Sequence, residues 1–505
     1  MSQTTSSSAE LLRGEGLPNY GAITPDLVKA GIPLLLSELE QRLEDIENDL
    51  LQGGPITWER LMPPLQQIGE RLRWSWGVVG HLLGVCNTKE LREAHQSQQA
   101  AVVRFSSRLG QSQPIYKAIG QLADQSNQLD GCQRRIVEQE KLEMQLRGVG
   151  LEAAAQQRFN QLSEELSALS TRFSNNVLDA TATWELLLDS PEQVTGCPNS
   201  LLELLADAAR NKGHEAANAE NGPWLLGLDH PRYGPFLRFA DRRDLREQAY
   251  RSFISRAAEG NKDLVGEILK LRQEKADLLG YGNWAEVSLA SKMAPSVAAV
   301  EQLLEDLRAP AIRVAKDELK DLEDLAGGQL QPWDLSYWAE KQRQRLFDLD
   351  SEALRPYFPL PQVLDGLFGL CQRLFGIHIT NAAGEAPLWH QDVRFFRVSD
   401  ANTDEPLAAF YLDPYSRVGS KRGGAWMDEC LGRQRNSDGE LVLPVAYLIC
   451  NQTPPVGEAP SLMSFDEVET LFHEFGHGLQ HMLTTVEQPE AAGINGVEWD
   501  AVELP

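Results

Sequence analysis

Cysteine is scarce in this sequence: its 505 residues contain only six, and no two of them form a C-x-x-C pair. Six scattered thiols in so long a chain are typical of a reducing compartment and exclude a small disulfide-stapled domain. The sequence also lacks any apolar run near the ~18 residues that a membrane-spanning helix needs. Its serine-rich first eight residues lack the apolar stretch of a signal peptide. These absences predict a cytoplasmic location.

Positive charge is scarce as well, because 47 basic residues stand against 73 acidic ones, which gives a formal net charge of -26. An acidic surface repels the phosphates of nucleic acids and of anionic membranes, so we expect neither as a partner. The 42% of hydrophobic residues is enough for a large core in two or more lobes. We expect a soluble monomer.

Apolar residues recur at steps of three and four through much of residues 25–180, which predicts amphipathic helices and a mainly α fold. Proline and glycine then interrupt the pattern up to about residue 235, and helical periods return afterwards. We therefore predict a disordered tail at 1–16, an N-terminal helical region at 17–190, a boundary segment at 191–235 and a second region at 236–505.

Three apolar runs near residues 392–450 predict a small β-sheet beside the last helix. The third run, 441–450, contains Pro444, so this strand should lie at a sheet edge or begin at the proline. At a free edge, Ala446 and Tyr447 would pair with the backbone of an extended peptide. The alternative is an ordinary sheet strand.

The most informative stretch is residues 473–477, which read H-E-F-G-H and match the pattern H-E-x-x-H. Ahead of it, Ser464 and Glu467 form a capping-box pattern, and the apolar spacing that follows predicts one helix from about 465 to 484. In that helix His473 and His477 lie about 6 Å apart along the axis on one face, so both can approach one Zn²⁺ ion. The alternative is a surface helix with two solvated histidines.

Glu474 lies about 100° around this helix from His473, where it can serve as the general base of a metal-assisted hydrolysis. A carboxylate further along the chain, Glu503, is our third ligand, which leaves one corner of a tetrahedral ion open. His481 lies about 12 Å along the axis from His473, so it cannot share the same ion. Asp500 either holds the ring N–H of a ligand histidine or is solvated at the start of the helix that we expect to carry Glu503.

Residues 466–479 closely resemble the signature of the thimet oligopeptidase, neurolysin and oligopeptidase A family of zinc metallopeptidases, and above all its bacterial and plastid oligopeptidase A branch. Further similar segments cover nearly the whole chain: 332–334, 357–359, 411–417, 421–426 and 443–447.

The resemblance implies one Zn²⁺ held by His473, His477 and Glu503, with Glu474 as the base. It implies two helical lobes around a deep, narrow channel that admits short unstructured peptides as substrates. The region 236–505 would then be a zinc-metallopeptidase catalytic region.

The resemblance also has a departure, because family members continue past the segment around Glu503. The continuation completes the Glu503 helix and supplies a glycine-rich loop whose His and Tyr side chains bind substrate. On this ground the chain resembles a C-terminally truncated oligopeptidase, so the catalytic region is expected to be incomplete. The alternative function is a catalytically inactive product that binds peptide or zinc.

Overall fold

The computed structural model describes residues 9–436, 438–457 and 460–504. The fold is mainly α, with 61% of the chain in helices and a small mixed sheet, as predicted. None of the described helices combines the length and the apolar character needed to cross a bilayer. Residues 1–8 of the predicted disordered tail lie outside the described residues. Residues 9–13 form a helix whose Leu11 is fully buried.

The N-terminal part is a stack of helices around one hydrophobic core. Three of them begin at a threonine, Thr24, Thr57 or Thr88, whose side chain accepts a hydrogen bond from the backbone N–H three residues further on. Such a cap satisfies one of the free N–H groups of the first turn. The helices are α1 (Ala9–Arg13), α2 (Pro25–Leu51), α3 (Trp58–Val85), α4 (Lys89–Gly110), α5 (Gln113–Asp124), α6 (Gly131–Leu146) and α7 (Ala153–Thr183).

A second hydrophobic core lies in residues 188–249. Its elements are β1 (Glu185–Leu188), α8 (Asn199–Asn211), β2 (Trp224–Gly227), α9 (His230–Phe239) and α10 (Arg243–Ile254). The strands β1 and β2 pair antiparallel, and Trp224 of β2 is buried in this core. The core therefore runs through the predicted boundary segment 191–235 and past its end, and the domain limits stay a prediction.

The remaining part alternates long helices with one five-stranded sheet. The helices are α11 (Ala258–Leu278), α12 (Trp284–Leu289), α13 (Val297–Ala326), α14 (Pro332–Phe347), α15 (Leu360–Phe375) and α16 (Phe465–Met482). The strands are β3 (Ile377–Asn381), β4 (Arg394–Asp400), β5 (Pro406–Tyr415), β6 (Trp426–Leu431), β7 (Gln434–Arg435), β8 (Leu441–Val442) and β9 (Val445–Gln452).

The sheet has the order β3-β4-β5-β9-β6, with β5 and β9 parallel and the other pairs antiparallel. We predicted about three strands, and the sequence pattern missed β3 and β6. The first, β3, follows α15 after a single residue, so no break in the apolar pattern separates them. The second, β6, lies in a segment rich in glycine and acidic residues, which are depleted in strands.

The two faces of the sheet contact different cores because side chains of a strand alternate between its faces. Tyr411, Tyr447 and Ile449 belong to the core of the N-terminal helices. Phe410 and Leu448, on the opposite face, pack in the core that includes α15 and α16. The sheet thus joins the N-terminal helices to α16, which carries the H-E-x-x-H pattern.

Candidate metal centre

Helix α16 begins where the capping-box pattern predicted. The Glu467 N–H donates to Ser464 Oγ at 3.2 Å, and the Ser464 N–H donates to Glu467 Oε2 at 2.7 Å. The helix ends at Met482, two residues before the predicted end. Its apolar face is buried against the sheet, with Leu471 and Phe475 in the same core as β5 and β9.

His473 and His477 lie on the same side of α16, as their spacing predicted. Their Nε2 atoms are 3.3 Å apart, and their ring planes are nearly perpendicular, at 87°. The His473 side chain is 54% exposed and the His477 side chain 15%, so His477 lies on the inner side of the pair. The short separation of the two Nε2 atoms lets both approach one ion.

The Glu503 carboxylate lies next to both rings. Its Oε2 is 3.1 Å from His473 Nε2 and 3.3 Å from His477 Nε2. In a tetrahedral zinc site with ligand bonds of ~2.0–2.1 Å, the ligand atoms stand roughly 3.3 Å apart. The three side chains therefore fit one such ion without rearrangement, and among the described residues they are the group that could hold a metal. Two imidazoles and a carboxylate are also among the donor types that zinc prefers.

Glu474 is buried beside this group, with only 7% of its surface exposed. Burial raises the pKa of its carboxyl, and the neighbouring His473 and His477 oppose the rise. A backbone hydrogen bond from Met427 also favours the charged form. A carboxylate whose pKa is shifted toward neutrality is suited to accept a proton and release it again.

The segment that carries Glu503 is not the helix that we expected. Residues 499–503 form turns. The Ala501 N–H donates to Glu498 O at 2.8 Å, and the Leu504 N–H donates to Ala501 O at 3.0 Å. These are bonds over three residues, whereas a continuing α-helix makes bonds over four. Local turns and distant contacts therefore determine where Glu503 lies.

Asp500 has partners that neither of our two predictions included. Its carboxylate accepts hydrogen bonds from the backbone N–H groups of Met293 at 3.0 Å and Ala294 at 2.9 Å. These two bonds lower the pKa of Asp500. The residue ties its turn to the connection between α12 and α13. Each of its two oxygens accepts one of these bonds, and the role of holding a histidine ring stays a prediction.

The predicted free edge at Ala446 and Tyr447 is also corrected. Strand β9 pairs with β5 on one side and with β6 on the other, so its backbone groups are engaged in the sheet. Pro444 is tolerated because β9 begins one residue after it. The Tyr447 ring is buried against the N-terminal helices, where its hydroxyl lies 2.7 Å from that of Tyr20. The sheet edge next to Glu474 is β6, and the sequence pattern carried no signal for it.

His481 contacts the sheet and not the metal ligands. Its ring is fully buried, and its Nε2 lies 3.0 Å from Leu431 O at the end of β6. Its Nδ1 is 3.7 Å from the Glu429 carboxylate. His481 therefore has a structural role, in agreement with its axial distance of about 12 Å from His473.

Two family models match this chain. "Peptidase family M3" covers residues 236–505, and "Neurolysin/Thimet oligopeptidase, N-terminal domain" covers residues 32–156. The chain belongs to peptidase family M3. The first match contains the H-E-x-x-H helix and Glu503, and the resemblance noted in the sequence is confirmed.

Relatives of this M3 chain align with it along its whole length. Organellar oligopeptidase A of Arabidopsis thaliana is 47% identical over 100% of the chain and 65% of its own length. Oligopeptidase A of Escherichia coli is 41% identical over 97% of the chain and 72% of its own length. The chain thus spans 65% to 72% of the length of these two relatives.

A solved structure supports the fold assignment. A protein from Bacillus anthracis described as an oligoendopeptidase F superposes on 92% of the chain and 68% of its own, with a TM-score of 0.53 and 14% sequence identity. At this identity the likeness concerns the fold alone.

Proposed function

We propose that this M3 chain is a zinc-dependent endopeptidase that hydrolyses short, unstructured peptides. The observation that carries the proposal is the separation of 3.1–3.3 Å among His473 Nε2, His477 Nε2 and Glu503 Oε2. This spacing suits one tetrahedral ion, and the family supplies the reaction class. Zinc bound there would polarise the scissile carbonyl and acidify a water molecule.

In this proposal Glu474 is the general base. It would take the proton of the attacking water and pass it to the leaving amine, a role typically worth about 10²–10⁴-fold in rate. Its position beside His473 and His477 supports the assignment, because a general base must lie within hydrogen-bond reach of the proton that it takes. His473 and His477 would hold the ion, and each needs a neutral ring to do so.

The substrate class rests on the family. Several relatives carry the name oligopeptidase A, which supports peptides as substrates. A relative that is 46% identical is named as a cytosolic enzyme, and we propose the same compartment. We propose a monomer.

Glu474→Gln tests the base assignment. The variant keeps the size of the side chain but cannot accept the proton, so we expect cleavage of a quenched-fluorescent peptide to fall by at least about 10²-fold. Zinc content, measured by atomic emission after dialysis, should stay near one ion per chain. Glu469→Gln, at an exposed position of the same helix, is the matched control.

The result also decides between the two functions. Retained cleavage in Glu474→Gln would remove the base assignment. Zinc binding by the unsubstituted chain without any cleavage would support the alternative, a catalytically inactive zinc-binding product.

A further inference from the structure

Glu503 depends on distant contacts for its position because its own segment forms only turns. Its side chain is 65% exposed, so packing around the carboxylate does not hold it. The preceding Ala501 and Val502 are buried, and Asp500 is bound to Met293 and Ala294. The chain just before Asp500 must then be held by contacts with another part of the molecule.

Helix α6 of the N-terminal part contacts that turn directly. Arg135 Nη2 donates to Gly496 O at 2.9 Å and to Glu498 Oε1 at 2.8 Å. Gln139, one helical turn further along α6, donates through Nε2 to the same Gly496 oxygen at 2.9 Å. The hydrogen bond from Arg135 lowers the pKa of Glu498. Two side chains on one face of α6 thus hold Gly496 and Glu498.

The turn itself leaves little freedom at Gly496. Its φ is +71°, in the left-handed region that L side chains rarely adopt. A Cβ there would lie 2.7 Å from the backbone oxygen of Glu490 and 3.2 Å from Gln139 Oε1. The chain therefore passes close to α6 at this point, seven residues before Glu503.

We propose that Arg135 and Gln139 are positioning residues for the third metal ligand, because they hold the Gly496–Glu498 segment that determines where Glu503 lies. The proposal rests on the proposed function, in which Glu503 binds zinc. Metal–ligand distances tolerate only about 0.2 Å, so a small shift of this turn weakens the site. The N-terminal helices would thereby set the metal affinity of a site on α16.

Zinc affinity is the first measurement, by competition with a chromophoric chelator on the full 505-residue chain. Groups bonded directly to metal ligands typically contribute 10–100-fold to affinity, and Arg135 acts through the intervening backbone, so Arg135→Ala should raise the zinc Kd by about tenfold, at the lower end of that range. Gln139→Ala should have a smaller effect, and the double variant a larger one. The matched control is Arg134→Ala on the same helix, whose guanidinium bonds to Leu129 O and Ser126 O and does not contact the turn.

The visible spectrum of the Co²⁺-loaded chain is the second measurement. The absorption of bound Co²⁺ reports the geometry of its ligands. A variant that is less stable but still folded keeps that geometry, so a merely destabilising substitution leaves the spectrum unchanged. We expect Arg135→Ala to alter the spectrum and Arg134→Ala to leave it unchanged. Arg135→Lys retains a cationic donor that can reach one of the two oxygens, so it should recover part of the affinity.

Glu503→Gln and His477→Ala separate this proposal from the proposed function. If both weaken zinc binding while Arg135→Ala and the double variant bind zinc as tightly as the unsubstituted chain, Glu503 is a ligand but α6 does not position it. If neither changes zinc binding, the metal site itself is wrong and the positioning role falls with it. A raised Kd for Arg135→Ala, with a normal one for Arg134→Ala, supports the inference.

Discussion

Asp413 is a fully buried carboxylate on β5, and its replacement by asparagine tests how the sheet is joined to the N-terminal helices. Arg417 donates to its two oxygens at 2.7 and 2.6 Å, Lys421 Nζ donates at 2.9 Å, and Trp389 Nε1 donates at 2.9 Å. Lys421 is also fully buried. Arg417 donates further to the backbone oxygen of Val85 in α3.

The expected loss in the free energy of unfolding follows from the charges that the substitution Asp413→Asn would leave without a counterion. Burial alone would raise the pKa of Asp413, but hydrogen bonds from Arg417 and the charge of Lys421 lower it below its usual value. Asp413 is thus charged in the folded protein. Its replacement by a neutral amide leaves a buried ammonium and a nearly buried guanidinium without their counterion, and breaking a buried ion pair in this way costs about 3–5 kcal/mol. Domains are typically stable by only about 5–15 kcal/mol.

Urea unfolding followed by tryptophan fluorescence measures this loss, and Trp389, one of eleven tryptophans, lies in the cluster. The matched control is Asp365→Asn, an exposed aspartate on α15, which should change stability by less than about 0.5 kcal/mol. Adding Lys421→Met to Asp413→Asn should recover part of the lost stability, because it removes one buried charge that lacks a counterion. A loss below about 1 kcal/mol for Asp413→Asn would show that this charge cluster does not hold the fold.

Three further measurements test the core, the pH dependence and the metal site. Phe475 is 2% exposed and packs edge-on against Phe410 at 5.5 Å, so Phe475→Ala should destabilise the chain by about 3–5 kcal/mol in urea unfolding; a cost under about 1 kcal/mol would contradict the packing. Burial raises the pKa of Glu140 from 4.5 to about 7, so the folded chain keeps a proton that the unfolded chain loses, and stability falls as pH rises through this window. Glu140→Gln should therefore stabilise the chain by up to about 3 kcal/mol near pH 8 and have little effect near pH 4, and equal gains at both pH values would refute the shift. Zinc at about a hundred times its Kd should stabilise the chain by about 2.7 kcal/mol, an effect that His473→Ala should abolish.

Local patterns in the sequence were reliable guides to the helix of the candidate site. Ser464 and Glu467 of the capping box are three positions apart and the two histidines are four apart, so both relationships lie within one or two turns of a helix. The same holds for the apolar stripes that predicted a mainly α fold. The third ligand, Glu503, does not lie on the helix that we expected, because its segment forms turns. Its role as a ligand stays a prediction that the zinc measurements test.

The sheet shows where sequence patterns were insufficient. Nothing in the apolar run around Tyr447 revealed that β9 lies between a parallel and an antiparallel neighbour, since strand order depends on which segments meet in the folded chain. The partner strands β5 and β6 come from separate parts of the sequence. The expectation of a free edge at Ala446 and Tyr447 was wrong for this reason.

By itself, the sequence determined the helix with its two histidines and Glu474, because those relationships are set by bonds and contacts between residues at most a few positions apart. Only the tertiary structure decided that Glu503 lies beside the histidines, that Asp500 binds Met293 and Ala294, and that Arg135 reaches Gly496. These contacts join residues that are 26 to 361 positions apart in the chain or come from different helices and turns. Their geometry depends on how the separate cores pack together, and no local pattern encodes that packing.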